Sequence, residues 1–123
     1  MKTILFITFT MLFTIVSNAQ NLGKIEPEVQ KQISASLTSY YGLKDALIDA
    51  DAEKSSVKSA DLAKSFDAID VSKMTEAQKV LWGKLEKLLR LDAKHIKDNK
   101  EIDHQRKHFI QLSNNMYALV FNF

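Results

Sequence analysis

"YYGLKDALIDADAEKSS" (residues 40–56) holds the end of one helix and the start of the next. Tyr40, Leu43 and Leu47 continue an apolar stripe that Val29, Ile33 and Leu37 begin at helical spacing. Asp51 stands where a helix cap stands, because its carboxylate can accept from the free backbone donors of a new first turn. The pattern then resumes through Ala52, Ser59, Leu62, Ala63 and Phe66. Two helices joined by so short a corner are antiparallel neighbours.

Pro27 suits the first turn of the opening helix. The first two helices are therefore expected over 27–49 and 52–67. "DAIDVSKM" (67–74) is the least helical stretch, and "TEAQ" (75–78) follows it with the Thr-x-x-Gln spacing of a capping box. A third helix is expected over 76–97, carrying Leu81, Trp82, Leu85, Leu88, Leu89 and Ile96. "KDNK" (97–100) makes a turn, and a fourth helix over 101–121 carries Ile102, Phe109, Leu112, Met116, Tyr117 and Val120. Met74, Met116 and Trp82 fall at packing positions. No segment alternates as a strand does, so the expected fold is all-α, an antiparallel up-down four-helix bundle.

The first residues belong to a different kind of segment. "MKTILFITFTMLFTIVSNAQ" (1–20) has a basic Lys2, an apolar run from Ile4 to Val16, and the small Ser17 and Ala19. That order is the order of a secretory signal peptide, which places the leader at 1–19 and the domain at 20–123. The run is short against the ~20 residues of a membrane span, so no stable membrane insertion is expected after cleavage. The expected location is periplasmic or secreted. An exported domain with no cysteine has neither a disulfide nor a thiolate metal site, and its core alone holds it together. The 17 basic and 15 acidic side chains are interspersed without a basic patch, which argues against a nucleic-acid partner.

Three ionisable residues interrupt the apolar stripes. Lys44 lies in the first, Asp92 among Leu85, Leu88, Leu89 and Ile96 in the third, and Arg106 between Ile102, Phe109 and Ser113 in the fourth. Asp92 precedes Asn99 by seven residues and Arg106 follows it by seven, so both lie about 10 Å from the turn at about 1.5 Å per residue. Lys44 sits near the same end of the bundle, and Ser55, Ser56 and Ser59 reach that level from the second helix. The expectation is a polar layer with Asp92 shared between Arg106 and Lys44. Two readings follow. The layer fixes helix register as a structural device, or its surplus positive charge beside Ser56 and Tyr41 receives a small anion or an acidic partner group.

"DHQRKHF" (103–109) sets His104 and His108 one turn apart, the spacing at which two imidazoles share a metal such as copper or zinc. On a helical wheel both fall with Gln111 and Asn115 on the outer, solvated face, with His95 or Glu101 nearby. Asp92–His95 and Glu101–His104 have the carboxylate-x-x-His spacing of di-metal bundles, but the first two helices supply no matching inward glutamate. Asp49, Asp51 and Glu53 imitate the opening of a calcium loop, yet Lys54 and Ala60 occupy its glycine and glutamate positions. No nucleophile set and no glycine-rich phosphate loop is present, so no enzyme is expected.

"YYGLKDALIDADAEKSSVKSADLA" and "HQRKHFIQLSNNMYAL" resemble the bacterial envelope family called domain of unknown function 3347. Tyr41, Leu43, Lys44, Asp45, Ala46, Leu47, Asp49 and Asp51 match its first element, and Gln105, Arg106, Phe109, Leu112 and Ser113 its second. The resemblance spans roughly residues 28–120. It implies a helical periplasmic module of Gram-negative envelopes, sometimes joined to the adaptor subunits of heavy-metal efflux pumps. Longer members carry a Cys-Pro-Met type motif, and this sequence has no cysteine. The functional expectation is a non-enzymatic binding or interaction module, accessory to envelope metal homeostasis, with an envelope or efflux adaptor protein as partner and no resident cofactor. The alternative is direct copper or zinc binding through His104 and His108.

Overall fold

The computed structural model of the chain describes residues 22–123, and the expected leader at 1–19 lies outside them. Four helices follow in order: α1 (Pro27–Ile48), α2 (Ala52–Asp67), α3 (Glu76–Asp98) and α4 (Ile102–Asn122), with one 3-10 turn at Val71–Lys73 between α2 and α3. Among the described residues no helix is long and apolar enough to cross a membrane.

Each helix begins where local chemistry starts it. Pro27 opens α1, the Asp51 carboxylate accepts from Lys54 N at 2.9 Å to cap α2, and Thr75 and Gln78 close a capping box on α3. Asn99 Oδ1 accepts from Glu101 N at 2.9 Å and shapes the α3–α4 turn.

Pairings across the seams fix an antiparallel register all round. Ser36 meets Ser65 between α1 and α2, and Ser59 Oγ donates to the Ala93 carbonyl at 2.7 Å between α2 and α3. Asp92 meets His108 between α3 and α4. Gln30 with the Phe123 carbonyl, Tyr40 with Ser113, and Arg106 with the Leu47 carbonyl mark three levels between α1 and α4. The bundle is thus up-down-up-down, and α1 and α4 form its least closely packed neighbouring seam.

The core gathers Val29, Ile33, Leu43, Leu47, Leu62, Phe66, Trp82, Leu89, Ile96, Leu112, Met116 and Leu119, with Met74 at one end. Gln78 is fully buried and donates to the carbonyls of Leu22 and Lys24, which straps the segment before α1 onto the start of α3. Three residues of the expected stripes lie outside this core: Leu88, Tyr117 and Val120 are exposed. Leu88 falls beyond the edge of the α3 stripe, and the open α1–α4 seam leaves Tyr117 and Val120 uncovered.

The α1–α2 corner stores strain at one residue. Ala50 has φ +55°, and around it Asp51 N bonds the Ala46 carbonyl and Ala50 N the Leu47 carbonyl. This is a Schellman ending with alanine in the left-handed position that glycine occupies without penalty. Ala50→Gly is expected to raise stability by about 1 kcal/mol, read as a Tm a few degrees higher on thermal melting. An unchanged or lower Tm would mean that the corner carries no such strain.

Candidate metal centre

The site grows from the α3–α4 hairpin. On α3, Leu85, Leu89 and Ile96 face the core, and Asp92 shares their stripe while remaining nearly inaccessible. His95 stands one turn beyond Asp92 at the margin of that face, exposed in the last turn of the helix. On α4, Gln105 is anchored inward, donating to the carbonyls of Ala52 and Ile96 at 3.0 and 2.9 Å. That anchor turns the flanking His104 and His108 toward α3, where both are partly buried.

The three imidazoles consequently form one cluster. His95, His104 and His108 each offer a nitrogen, and these atoms lie within 4.8 Å of one another. The rings of His95 and His108 stack in parallel with centroids 4.2 Å apart, while His104 and His108 are tilted at 4.7 Å.

Two further contacts decide the chemistry. Asp92 Oδ1 lies 2.9 Å from His108 Nδ1. An ionised carboxylate only accepts, so Nδ1 is the donor here and Nε2 is the nitrogen left to offer a lone pair. A carboxylate on the far nitrogen of a ligating histidine is the usual brace of a metal site, since it fixes the ring and raises its basicity. The second contact is a missing one: His104 Nε2 is buried without a hydrogen-bond partner. A buried polar atom left unmatched costs on the order of 1–3 kcal/mol, and an ion bound at that nitrogen would remove the cost.

A tetrahedral ion with bonds of about 2.0–2.1 Å needs its nitrogens roughly 3.3 Å apart, so the rings would have to close inward by side-chain rotation to hold one. Imidazole donors suit zinc, copper and nickel, and no cysteine is available to favour copper(I). Asp92→Asn keeps an acceptor for His108 but removes its charge. It is expected to weaken zinc binding 10–100-fold with the fold intact, measured by competition with a chelator of known affinity. Equal affinity would reduce Asp92 to a packing partner.

The expected ionic layer does not form. Lys44 pairs with its neighbour Asp45 at 3.1 Å, half-exposed, with its ammonium 5.5 Å from the Tyr41 ring centre. Arg106 donates to the Leu47 carbonyl at 2.8 and 3.3 Å, capping the end of α1. Asp92 holds His108 in place of either cation. Ser56 turns to the Lys97 carbonyl, and Tyr41 lines the α1–α4 groove. No shared anion site is built from these residues. The flexible Lys44 stem carries its charge out of the stripe, and Arg106 finds the Leu47 carbonyl at the end of α1 closer than any carboxylate.

The wheel of α4 alone also misplaced the histidines. His104 and His108 face α3 rather than solvent, and His95 joins them. The acidic corner residues are occupied structurally: Asp49 pairs with Lys54, Asp51 caps α2 and Glu53 pairs with Lys100.

Fold and site together define an antiparallel four-helix bundle with a carboxylate-braced three-histidine cluster across one hairpin. The chain belongs to the family described as "Protein of unknown function (DUF3347)", whose model matches residues 37–123. All three histidines and Asp92 lie in the matched stretch. Neither the curated proteins nor the solved structures gave a match.

Proposed function

We propose that the protein is an exported, non-enzymatic module that binds one zinc or copper(II) ion at His95, His104 and His108, accessory to heavy-metal handling in the cell envelope. The observation that carries this reading is the convergence of three imidazole nitrogens within 4.8 Å, with Asp92 bracing one of them. Among the described residues this is the one group of three or more donor side chains, and it contains no bridging carboxylate of the kind a di-metal enzyme uses.

Calorimetric titration of the domain at 20–123 tests it. One zinc or copper(II) ion per chain is expected, with binding lost when all three histidines become alanine. At a free-ion concentration about 100 times Kd, the folded state gains about 2.7 kcal/mol, a rise in Tm on the order of 10–15 °C. Equal uptake by the triple variant would end the reading.

A second reading, an interaction module, is favoured by the α1–α4 seam. A groove of about 270 Å³ lined mainly by Leu37, Tyr40, Tyr41, Met116, Tyr117 and Val120 opens there. Tyr117 and Phe121 stack in the open beside it, both more than two-thirds exposed. Combining Tyr117→Ser with Phe121→Ser is expected to abolish capture of an envelope partner while leaving metal binding unchanged. Capture at the parent level by that variant would exclude the groove.

A further inference from the structure

The three histidines are not equivalent, and the difference assigns a direction to the site. His108 is fixed by the nearly inaccessible Asp92. His104 directs a nitrogen into the protein, where solvent does not reach it. His95 is exposed, its ring makes no hydrogen bond among the described residues, and it is held by ring contacts with its two histidine neighbours. The cluster supplies three nitrogens, and Asp92, which meets His108 through Oδ1, is not among the grouped donors. A four-coordinate ion therefore takes its fourth donor from outside.

Resting on the metal-binding reading, we infer that this is a hand-over site, with His104 and His108 as the fixed pair and His95 as the ligand that leaves. His95 is the most weakly held of the three and the one exposed to solvent, so a donor arriving from outside has its access on that side. An acceptor bringing its own nitrogen, oxygen or sulfur donors first takes the open position. The metal–His95 bond then breaks, and the ring departs with its lone pair as a second acceptor donor bonds. The ion leaves from the side of His95, and no change of oxidation state is involved. An acceptor attacking a closed four-ligand site must first expand the shell to five donors, whereas here it displaces only a solvent donor before His95 leaves.

Stopped-flow transfer of zinc from the loaded protein to excess 4-(2-pyridylazo)resorcinol tests this. The expected rate rises linearly with chelator concentration. His95→Ala is expected to retain one zinc per chain at lower affinity, with transfer at least tenfold faster and an unchanged circular-dichroism spectrum. A rate independent of chelator concentration, or no acceleration in His95→Ala, would overturn the hand-over inference while leaving the metal site standing. Failure of the parent protein to take up zinc at all would overturn the site itself.

Discussion

His108→Ala is expected to lower zinc and copper(II) affinity by about 100-fold or more, a loss of at least ~2.7 kcal/mol. Two effects combine. One nitrogen of three disappears, and the nearly inaccessible Asp92 loses the partner that braces it at 2.9 Å. The second effect also reaches the metal-free protein, because a buried carboxylate without its hydrogen bond costs on the order of 1–3 kcal/mol. His108→Ala therefore lowers Tm in the absence of metal, whereas His95→Ala leaves it within about 0.5 kcal/mol of the parent, as for other exposed positions. Calorimetric titration gives the first quantity and thermal melting the second. Retained affinity in His108→Ala would remove the ring from the donor set.

The largest stability effect belongs to Phe66→Ala. Phe66 is almost fully buried on α2, meets Trp82 edge-on with centroids 5.9 Å apart, and lies beneath the Arg90 guanidinium at 5.8 Å. Arg90 is itself tied to the Ala63 carbonyl, Asp67 and Glu86; partial desolvation lowers its pKa, and the two carboxylates outweigh that and raise it. The rigid surroundings cannot collapse to fill the space, so the full cost of about 3–5 kcal/mol is expected. Against a total of about 5–15 kcal/mol for a domain of this kind, that is a large share. Urea unfolding measures it, with the exposed Phe121→Ala as the control expected within about 0.5 kcal/mol of the parent. A loss below about 1 kcal/mol for Phe66→Ala would mean that the α2–α3 core is loosely packed.

The helices were legible because periodicity and capping agree along the chain. Asp51, Thr75 and Gln78 marked the starts of α2 and α3, and the structure places their bonds accordingly. The site was half legible. His104 and His108 stood out by spacing, but a wheel drawn for α4 alone cannot show which neighbour fills the space beside it. The missing signal was in the hairpin. His95 precedes Asn99 by four residues and His104 follows it by five, so folding about that turn brings them level. The same reckoning sent Asp92 toward Arg106, and it failed there because both side chains have closer partners in His108 and the Leu47 carbonyl. Sequence spacing gives the level along a bundle, while competition among nearby donors and acceptors decides which pairs form. Backbone carbonyls at helix ends enter that competition, and no residue type announces them.

Zinc K-edge X-ray absorption on the domain loaded with one equivalent of zinc reads the coordination shell itself. The expected spectrum is that of an ion bound by three imidazoles at about 2.0–2.1 Å with one solvent oxygen completing the shell. This imidazole signature is expected to disappear when His95, His104 and His108 are all alanine. A shell of oxygen donors alone, or a spectrum unchanged in the triple variant, would contradict the three-histidine site.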